Sequence, residues 1–260
     1  MSDLVSADAS AWAARLRALT PARVGLGRTG ISLRTSDLLD FQRAHAQARD
    51  AVHARLQVGT LAASLAELQD LSGKRLKILR LHSAALDRTT YLQRPDLGRQ
   101  LDENSRTLLV GQSPGVPALV FVVADGLSAL AVERHVPPLL AELLPLLDGW
   151  ELAPVCIVEQ GRVAVGDEIG KALAAQIAVV LIGERPGLSS ADSLGAYLTW
   201  EPRPGRSDAE RNCISNIRAE GLTYARAAAQ LAFYLTRARQ RQLTGVALKD
   251  ESPQLKEGRE

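Results

Sequence analysis

The chain has 260 residues, of which 46% are hydrophobic, so it can bury a sizeable core in one or two domains. Its 31 Lys and Arg against 29 Asp and Glu give a net charge of +2, which provides no electrostatic reason to expect nucleic acid or an anionic membrane as a partner. No segment reaches the roughly 18 consecutive apolar residues of a membrane span. The two cysteines, Cys156 and Cys213, cannot form a disulfide framework and indicate a reduced, cytoplasmic protein.

The chain begins with a variable segment, residues 1–20. The pattern of residues 21–110 predicts a region that is helical and irregular. Helical periodicity is present in three segments: residues 36–57, 58–71 and 87–106. The first begins at Ser36, a favourable N-cap, and the last is interrupted at Pro95. A region of this kind is typical of a packing arm or lid rather than an independent core.

Residues 111–250 predict an α/β domain. Three continuous apolar runs predict buried strands: residues 118–124, 152–158 and 176–182. Residues 196–200 are a candidate fourth strand. Helices are expected between and after these strands: residues 127–147, 167–175 and 223–242. Apolar strands that alternate with helices predict a Rossmann-like parallel sheet flanked by helices, with a long C-terminal helix and a polar tail at residues 251–260.

The loops that follow the three strands carry Gly beside charged residues: Asp125-Gly126, residues 159–163 and residues 183–187. Because the carboxyl ends of parallel strands meet at one edge of a sheet, the three loops predict a binding crevice there. Gly and Pro also punctuate strand ends in any α/β fold, so ordinary loop packing is the alternative interpretation.

No complete catalytic constellation is present in the sequence. A dinucleotide fingerprint after a strand, a P-loop and H-E-x-x-H are all absent, and the four histidines form no ligand pair, so no metal site is expected. Cys213 and His82 could pair as nucleophile and base of a cysteine-dependent hydrolase, although nothing near Cys213 indicates a lowered pKa. The residues alone favour an α/β binding subunit with a helical arm over an independent enzyme.

A set of short motifs, taken in order, is more specific than any one of them. The motifs are 23–30 (RVGLGRTG), 39–46 (LDFQRAHA), 80–83 (RLHS), 91–98 (YLQRPDLG), 124–129 (ADGLSA), 159–163 (EQGRV), 167–170 (DEIG), 182–188 (IGERPGL) and 213–218 (CISNIR). In this order they resemble the small (light) subunit of ethanolamine ammonia-lyase over about residues 20–250.

The resemblance implies a cofactor, a partner and a reaction. It implies adenosylcobalamin bound base-on, with no protein histidine on the cobalt, and the D-x-H-x-x-G motif of the base-off mode is absent. It implies a hetero-oligomer in which a large TIM-barrel subunit binds ethanolamine and carries most of the residues that handle the radicals, while the small subunit closes the cobalamin site at the interface. The reaction is radical deamination of ethanolamine to acetaldehyde and ammonia.

The resemblance also implies the residues of this chain that contact the cofactor. They are Val163 of Gln-Gly-Arg-Val, Glu184 of Gly-Glu-Arg-Pro-Gly and Cys213 of Cys-Ile-Ser-Asn-Ile, and no catalytic residue is expected here. Arg162 and Arg185 are candidates for the nucleotide-loop phosphate, with solvent or a salt bridge to the large subunit as the alternative.

If the chain is such a small subunit, its amphipathic N-terminal stretch is a candidate segment for targeting the protein to a bacterial microcompartment. The alternative from another class is a non-catalytic regulator that binds a nucleotide or cofactor in the same crevice, and it predicts a stable monomer or homodimer.

Overall fold

The computed structural model of the chain describes residues 2–20, 22–113, 115 and 118–249, with the side chains of residues 2–10 excepted. The predicted polar tail, residues 251–260, lies outside the described residues. The helices and strands are, in chain order, α1 (Ser2–Leu19), β1 (Arg28–Thr29), β2 (Ser32–Leu33), α2 (Thr35–His53), α3 (Val58–Ala66), β3 (Ile78–His82), α4 (Arg88–Gln93), α5 (Glu103–Leu109), β4 (Ala118–Ala124), α6 (Ala129–Leu143), β5 (Glu151–Leu152), β6 (Val155–Glu159), α7 (Val165–Ala172), β7 (Ala175–Gly183), β8 (Leu194–Trp200), β9 (Arg211–Ile217) and α8 (Tyr224–Arg241).

Seven strands form one mixed sheet, in the order β3-β6-β4-β7-β8-β9, and the short β5 also pairs with β4. The strands β3, β6, β4 and β7 are parallel, whereas β8 runs antiparallel to both β7 and β9. The α/β class is therefore confirmed, but the expectation of a parallel sheet throughout was wrong. The connections 184–193 and 201–210 are shorter than the dozen or so residues that a parallel crossover needs, so the chain reverses direction twice after β7.

The strands predicted from apolar runs are present. β4 has the predicted bounds, β6 and β7 overlap their predicted segments, and β8 extends the candidate fourth strand back to Leu194. All seven residues of β4 are buried. This burial is expected where helices cover both faces of a central strand, and it explains why β4 has no polar alternation.

Two strands of the sheet were not predicted. β3 lies in the region expected to be helical or irregular, and it pairs in parallel with β6 from Ile78 opposite Val155 to His82 opposite Glu159. The N-terminal half therefore contributes an edge strand to the sheet. The predicted helices of this half are present as α2, α3, α4 and α5. β9 forms the opposite edge and contains Cys213.

Helices cover the two faces of the sheet unequally. The helices α3, α6 and α8 pack on one face, against alternate residues of every strand from β4 to β9, such as Phe121, Leu198 and Ile214. The helices α5 and α7 pack on the other face against β4, β6 and β7, where Tyr197 lies at the edge of the apolar cluster. α7 reaches this second face at Arg211 of β9, whose guanidinium pairs with Asp167, whereas Cys213 and Ser215 of β9 are exposed there and Tyr197 of β8 is half-buried.

The predicted long C-terminal helix is present as α8, and it packs against α6. At the other end of the chain, α2 buries only Ala44 and Ala51, while Trp12 and Leu19 of α1 are exposed. No helix among the described residues has the length and apolar character required to cross a membrane.

Candidate functional site

The loops at the carboxyl ends of β4 and β7 pack directly on each other. The amide of Leu127 donates to the carbonyl of Gly183 at 2.9 Å. Gly126 has a φ of +57°, and a Cβ at this position would overlap the same carbonyl. The predicted loops after β4 and β7 therefore converge and are in direct contact.

A buried polar cluster fills the same edge of the sheet. Asp125 directly follows β4, and its Oδ1 accepts a hydrogen bond from the amide of Gly161 at 3.1 Å. Burial raises the pKa of Asp125 to about 6, although Arg88, with Nη1 3.7 Å from Oδ2, opposes this shift. Arg88 also donates to the carbonyls of Val52 and Gly126 at 2.6 and 2.8 Å. It thereby ties α2 to the loop that follows β4.

The loop that follows β6 is held by the segment that contains Tyr91 and Gly98. The amide of Arg162 donates to the carbonyl of Gly98 at 2.7 Å, and the guanidinium lies 4.2 Å from the centroid of the Tyr91 ring. The Tyr91 hydroxyl donates to the carbonyl of Gly161 at 3.3 Å. A Cβ at Gly98 would lie 2.8 Å from Cγ of Arg162, so only glycine permits this approach. The motifs 91–98 and 159–163 form one structural unit.

Glu184 begins the loop after β7 and turns its carboxylate toward β9. The carboxylate accepts hydrogen bonds from the hydroxyls of Ser193 and Ser215 and from the amide of Asn216, the last at 3.2 Å. A Cβ at Gly195 would lie 3.0 Å from Oε1 of Glu184, so the missing side chain leaves room for the carboxylate over β8. The side chain is half-buried and its orientation is fixed.

Cys213 lies on the second face of β9, because the next residue, Ile214, faces the cluster under α6 and α8. Its partner across the strands is Tyr197 of β8. Partial burial raises the pKa of the Cys213 thiol, the charge of Glu184 adds to this, and a hydrogen bond with Tyr197 opposes it. Burial also raises the pKa of Tyr197, and its contact with Cys213 adds to that shift. Both groups are protonated at neutral pH.

Val163 lines a cavity of about 290 Å³ that Tyr197 also lines. Tyr197 therefore links Val163 on one side to Cys213 on the other, and Glu184 adds its charge to both Tyr197 and Cys213. The three residues implied by the resemblance therefore lie around Tyr197, at the second face of β8 and β9 and the loop before α7. Below we call this second face, together with the loop before α7, the open face.

Two of the arginines around the cavity are locked by carboxylates. The Arg211 guanidinium donates to both oxygens of Asp167 at 2.7 Å, and both side chains are buried. Arg206 pairs with Glu210 at 2.5 Å. The pair of Asp167 and Arg211 joins α7 to β9.

The arginine candidates for a phosphate are placed differently. Arg162 lines the cavity. Arg185 is exposed, lies outside the cavity lining and makes no hydrogen bond or ion pair with the described residues.

Sequence reasoning missed Tyr197 and Arg99, which also lines the cavity. β9 carries no clear alternation of polar and apolar residues, because Asn212 and Asn216 stand on the face opposite Cys213 and Ser215 together with Ile214.

The geometry argues against catalysis by Cys213 and His82. His82 lies on β3 and Cys213 on β9, at opposite edges of the sheet and five strand spacings, or roughly 24 Å, apart. No hydrogen bond can join them. Among the described residues there is also no group of three or more His, Cys, Asp or Glu side chains arranged to hold a metal ion.

Fold and site together define an α/β chain with a group of polar side chains on one face of its antiparallel strands. The family model described as "Ethanolamine ammonia-lyase light chain (EutC)" matches residues 10–249. The chain therefore belongs to the ethanolamine ammonia-lyase light-chain family, and the resemblance seen in the motifs is confirmed.

The relatives include three proteins named ethanolamine ammonia-lyase small subunit. The protein of Pseudomonas syringae pv. tomato is 56% identical over 95% of this chain and 85% of its own. That of Pseudomonas fluorescens is 58% identical over 91% of this chain and 86% of its own. The protein of Xanthomonas campestris pv. campestris is 55% identical over 97% of this chain and 92% of its own. Their shared name identifies each of these relatives as the small subunit of a lyase.

Proposed function

We propose that this chain is the small subunit of an adenosylcobalamin-dependent ethanolamine ammonia-lyase and that its open face closes the cobalamin site against a large subunit. The assembled enzyme carries out the radical deamination of ethanolamine to acetaldehyde and ammonia. The observation that carries the proposal is that Val163, Glu184 and Cys213, which come from three separate motifs, lie around Tyr197 in a member of this family.

The chemistry of the open face fits a corrin. A corrin has an apolar rim with amide side chains, which need hydrogen-bond acceptors and donors. Val163 and the Tyr197 ring offer apolar contact, and the Glu184 carboxylate can accept a further hydrogen bond from an amide because two oxygens offer about four acceptor positions. The Ser193 and Ser215 hydroxyls fix the carboxylate before any ligand arrives, so little ordering is needed on binding.

The positions of the histidines support base-on binding. His82 is at the far edge of the sheet, His45 and His53 lie on α2, and His135 is buried on α6 beside Tyr224, with its Nδ1 2.8 Å from the hydroxyl. None of the four borders the open face. When bound, adenosylcobalamin supplies a carbon–cobalt bond whose homolysis begins the radical chemistry. This chain binds and orients the cofactor and excludes water.

The first experiment is co-expression of this chain with the large subunit, followed by an assay for acetaldehyde from ethanolamine with and without adenosylcobalamin. We expect turnover only when both chains and the cofactor are present. The alternative function, a non-catalytic cofactor-binding regulator, predicts a chain that stays monomeric or homodimeric beside the large subunit and yields no cofactor-dependent turnover.

The variant E184Q tests the role of the open face. We expect adenosylcobalamin to bind the complex about tenfold more weakly, because the loss of a charged acceptor weakens hydrogen bonds to amides. The matched control is E142Q, since Glu142 is exposed on α6 and makes no hydrogen bond or ion pair with the described residues. Equal binding by wild type and E184Q, measured by equilibrium dialysis, would count against this role.

The N-terminal helix α1 is proposed to direct the enzyme to a bacterial microcompartment. Its described apolar side chains, Trp12, Leu16 and Leu19, are exposed and available to a shell partner. Deletion of residues 1–20 is expected to leave the enzyme in the cytoplasm, and encapsulation that survives the deletion removes this part of the proposal.

A further inference from the structure

The segment that leads into β8, residues 191–193, is in direct contact with Glu184. The amide of Glu184 donates to the carbonyl of Ser193 at 2.9 Å, and the Ser193 hydroxyl donates to the Glu184 carboxylate. Ser193 itself is buried. Because one residue contacts both the backbone and the side chain of Glu184, a shift of this segment would move the carboxylate.

The first two turns of α6 hold the same segment at three points. Ser128, the N-cap of α6, donates from its hydroxyl to the carbonyl of Ala191 at 2.9 Å. Arg134 donates to Oδ2 of Asp192 at 2.9 Å, and Nε2 of His135 lies 3.5 Å from the same oxygen. Arg134 is exposed to solvent, whereas His135 is buried, so the charge of Asp192 is screened less on the side of His135.

His135 also contacts α8. Its Nδ1 lies 2.8 Å from the hydroxyl of Tyr224, the first residue of that helix. Burial lowers the pKa of His135, although the charge of Asp192 opposes this shift, so the imidazole is neutral at neutral pH. Since an ionised carboxylate only accepts, the neutral ring carries its proton on Nε2, toward Asp192, and accepts from the Tyr224 hydroxyl at Nδ1. His135 therefore joins α6 both to the segment before β8 and to the start of α8.

We infer that Asp192 and His135 are positioning residues that hold the Glu184 carboxylate in place over β8 and β9. The carboxylate reaches from the loop after β7 to Ser215 and Asn216 on β9, so its place depends on where this loop lies relative to the sheet. The contacts with α6 fix that relation through Ser193. The inference rests on the proposed function in one respect, because it takes the cofactor to be the ligand of Glu184.

The informative variant is Asp192→Ala, because this side chain is 20% exposed and belongs to neither apolar cluster. We expect D192A to weaken the binding of adenosylcobalamin to the complex with the large subunit by about threefold to tenfold in equilibrium dialysis, as for a partly lost hydrogen bond. Asp192→Asn keeps an oxygen for Arg134 and should recover most of the affinity.

The matched control is Asp148→Ala, which makes the same change beyond the other end of α6. Asp148 is exposed and makes no hydrogen bond or ion pair with the described residues, so D148A should bind adenosylcobalamin as the wild type does. The role of His135 is tested by a second pair of variants. His135→Gln keeps a donor and an acceptor and should bind nearly as the wild type does, whereas His135→Leu keeps neither and should resemble D192A.

A double variant separates positioning from a general structural role. In the background of Glu184→Ala there is no carboxylate left to position, so D192A should cause no further loss of cofactor affinity. If Asp192 only stabilises the fold, the losses of the two single variants multiply instead, because their free energies add.

A measurement without cofactor distinguishes a failure of this inference from a failure of the proposed function. Burial raises the pKa of the Cys213 thiol and the charge of Glu184 adds to this shift, so the pH midpoint of iodoacetamide labelling at Cys213 reports where the carboxylate lies. In the free chain, E184A and D192A should both lower this midpoint, whereas D192N and D148A should leave it close to that of the wild type.

Four outcomes overturn the inference: losses that multiply in the double variant, equal weakening by D148A, an unchanged midpoint in D192A, and an unchanged midpoint in E184A, which would show that the carboxylate is not held near Cys213. Where D192A does not fold, which labelling of the buried Cys156 reveals, Asp192→Ser takes its place, since its shorter polar side chain also fails to reach Arg134. A wild-type complex that binds no adenosylcobalamin refutes the proposed function, and a lowered midpoint in D192A would still support the positioning of Glu184.

Discussion

The parallel half and the antiparallel half of the sheet differ in how helices cover their faces. In the parallel half, helices cover both faces of β4 and β7, and the carboxyl edge is closed by loop contacts and by the buried cluster around Asp125 and Arg88. In the antiparallel extension, helices α6 and α8 cover one face, while the other face is covered only in part: α7 reaches it at Arg211, and Cys213 and Ser215 remain exposed.

The contrast separates polar groups that stabilise the fold from polar groups available to a ligand. Asp125 and Arg88 are buried and hydrogen-bonded to the chain itself, so these groups join loops and are not available to a ligand. Glu184 and Arg99 lie where solvent or a partner can reach them. The general rule that ligands bind beyond the carboxyl ends of parallel strands points to this edge, and the accessible polar groups there lie toward the antiparallel strands.

The largest expected effect comes from the ion pair that joins the two halves. Asp167→Asn removes the charge that balances buried Arg211, and we expect a loss of about 3–5 kcal/mol in the free energy of unfolding, because the guanidinium is left buried without an anion. Urea denaturation measures the loss. The control Glu67→Gln breaks an exposed pair with Arg75 and should cost less than about 1 kcal/mol. Similar losses in the two variants would mean that the halves do not depend on this contact.

The next effect concerns the closed edge and depends on pH. Burial raises the pKa of Asp125 from 3.8 to about 6, so the group contributes stability that is fully present below pH 3.8 and is lost as the pH rises through 6. Asp125→Asn does not titrate. Relative to this variant, the wild type should lose about 2–3 kcal/mol of unfolding free energy between pH 4 and pH 7. A constant difference over this range would show that Arg88 fully balances the carboxylate.

A smaller effect is expected at the open face. Gly195→Ala places a Cβ 3.0 Å from Oε1 of Glu184, so the carboxylate must move by a few tenths of an ångström while the core is untouched. We expect adenosylcobalamin to bind the complex about threefold to tenfold more weakly, as for a partly lost hydrogen bond, with little change in stability. Gly59→Ala on α3 is the control, since a Cβ there meets nothing within 4 Å. Unchanged binding in Gly195→Ala would mean that the position of Glu184 is not critical.

The sequence predicted the closed half better than the open one, for a physical reason. A strand buried on both faces, such as β4, is a continuous apolar run and can be recognised locally. β9 has no apolar run, since Asn212 and Asn216 flank Ile214 on one face, and the burial of Arg211 depends on Asp167, which is distant in the chain. β3 was missed because Arg80 interrupts its apolar pattern at an exposed position on an edge strand.

The same limit applies to the candidate site. Val163 and Glu184 follow predicted strands, so strand order alone places them at one edge. Cys213 came only from the resemblance, and its place beside Tyr197 depends on the antiparallel register of β8 and β9. Arg99 was not predicted because its place beside the cavity depends on the contact between Gly98 and the loop after β6, which no local pattern reveals.

The smallest expected effect tests accessibility directly, through the two cysteines. Cys213 is exposed on the open face, whereas Cys156 lies inside β6, where burial raises its pKa to about 12. Iodoacetamide should therefore label only Cys213 in the folded chain, with a midpoint above the usual pKa of 9.0 because partial burial and the charge of Glu184 oppose the thiolate. Mass spectrometry across a pH series locates the label, and Cys213→Ala should remain unlabelled.

In the complex with the large subunit, adenosylcobalamin is expected to slow this labelling because the open face is then covered. Slower labelling on assembly alone would place the partner over Cys213, and slower labelling only with the cofactor would place the corrin there. Labelling of Cys156 would contradict the contrast between a closed and an open half, since it would mean that the parallel strands open. A Cys213 midpoint that is not above 9.0 would show that neither partial burial nor the charge of Glu184 opposes the thiolate.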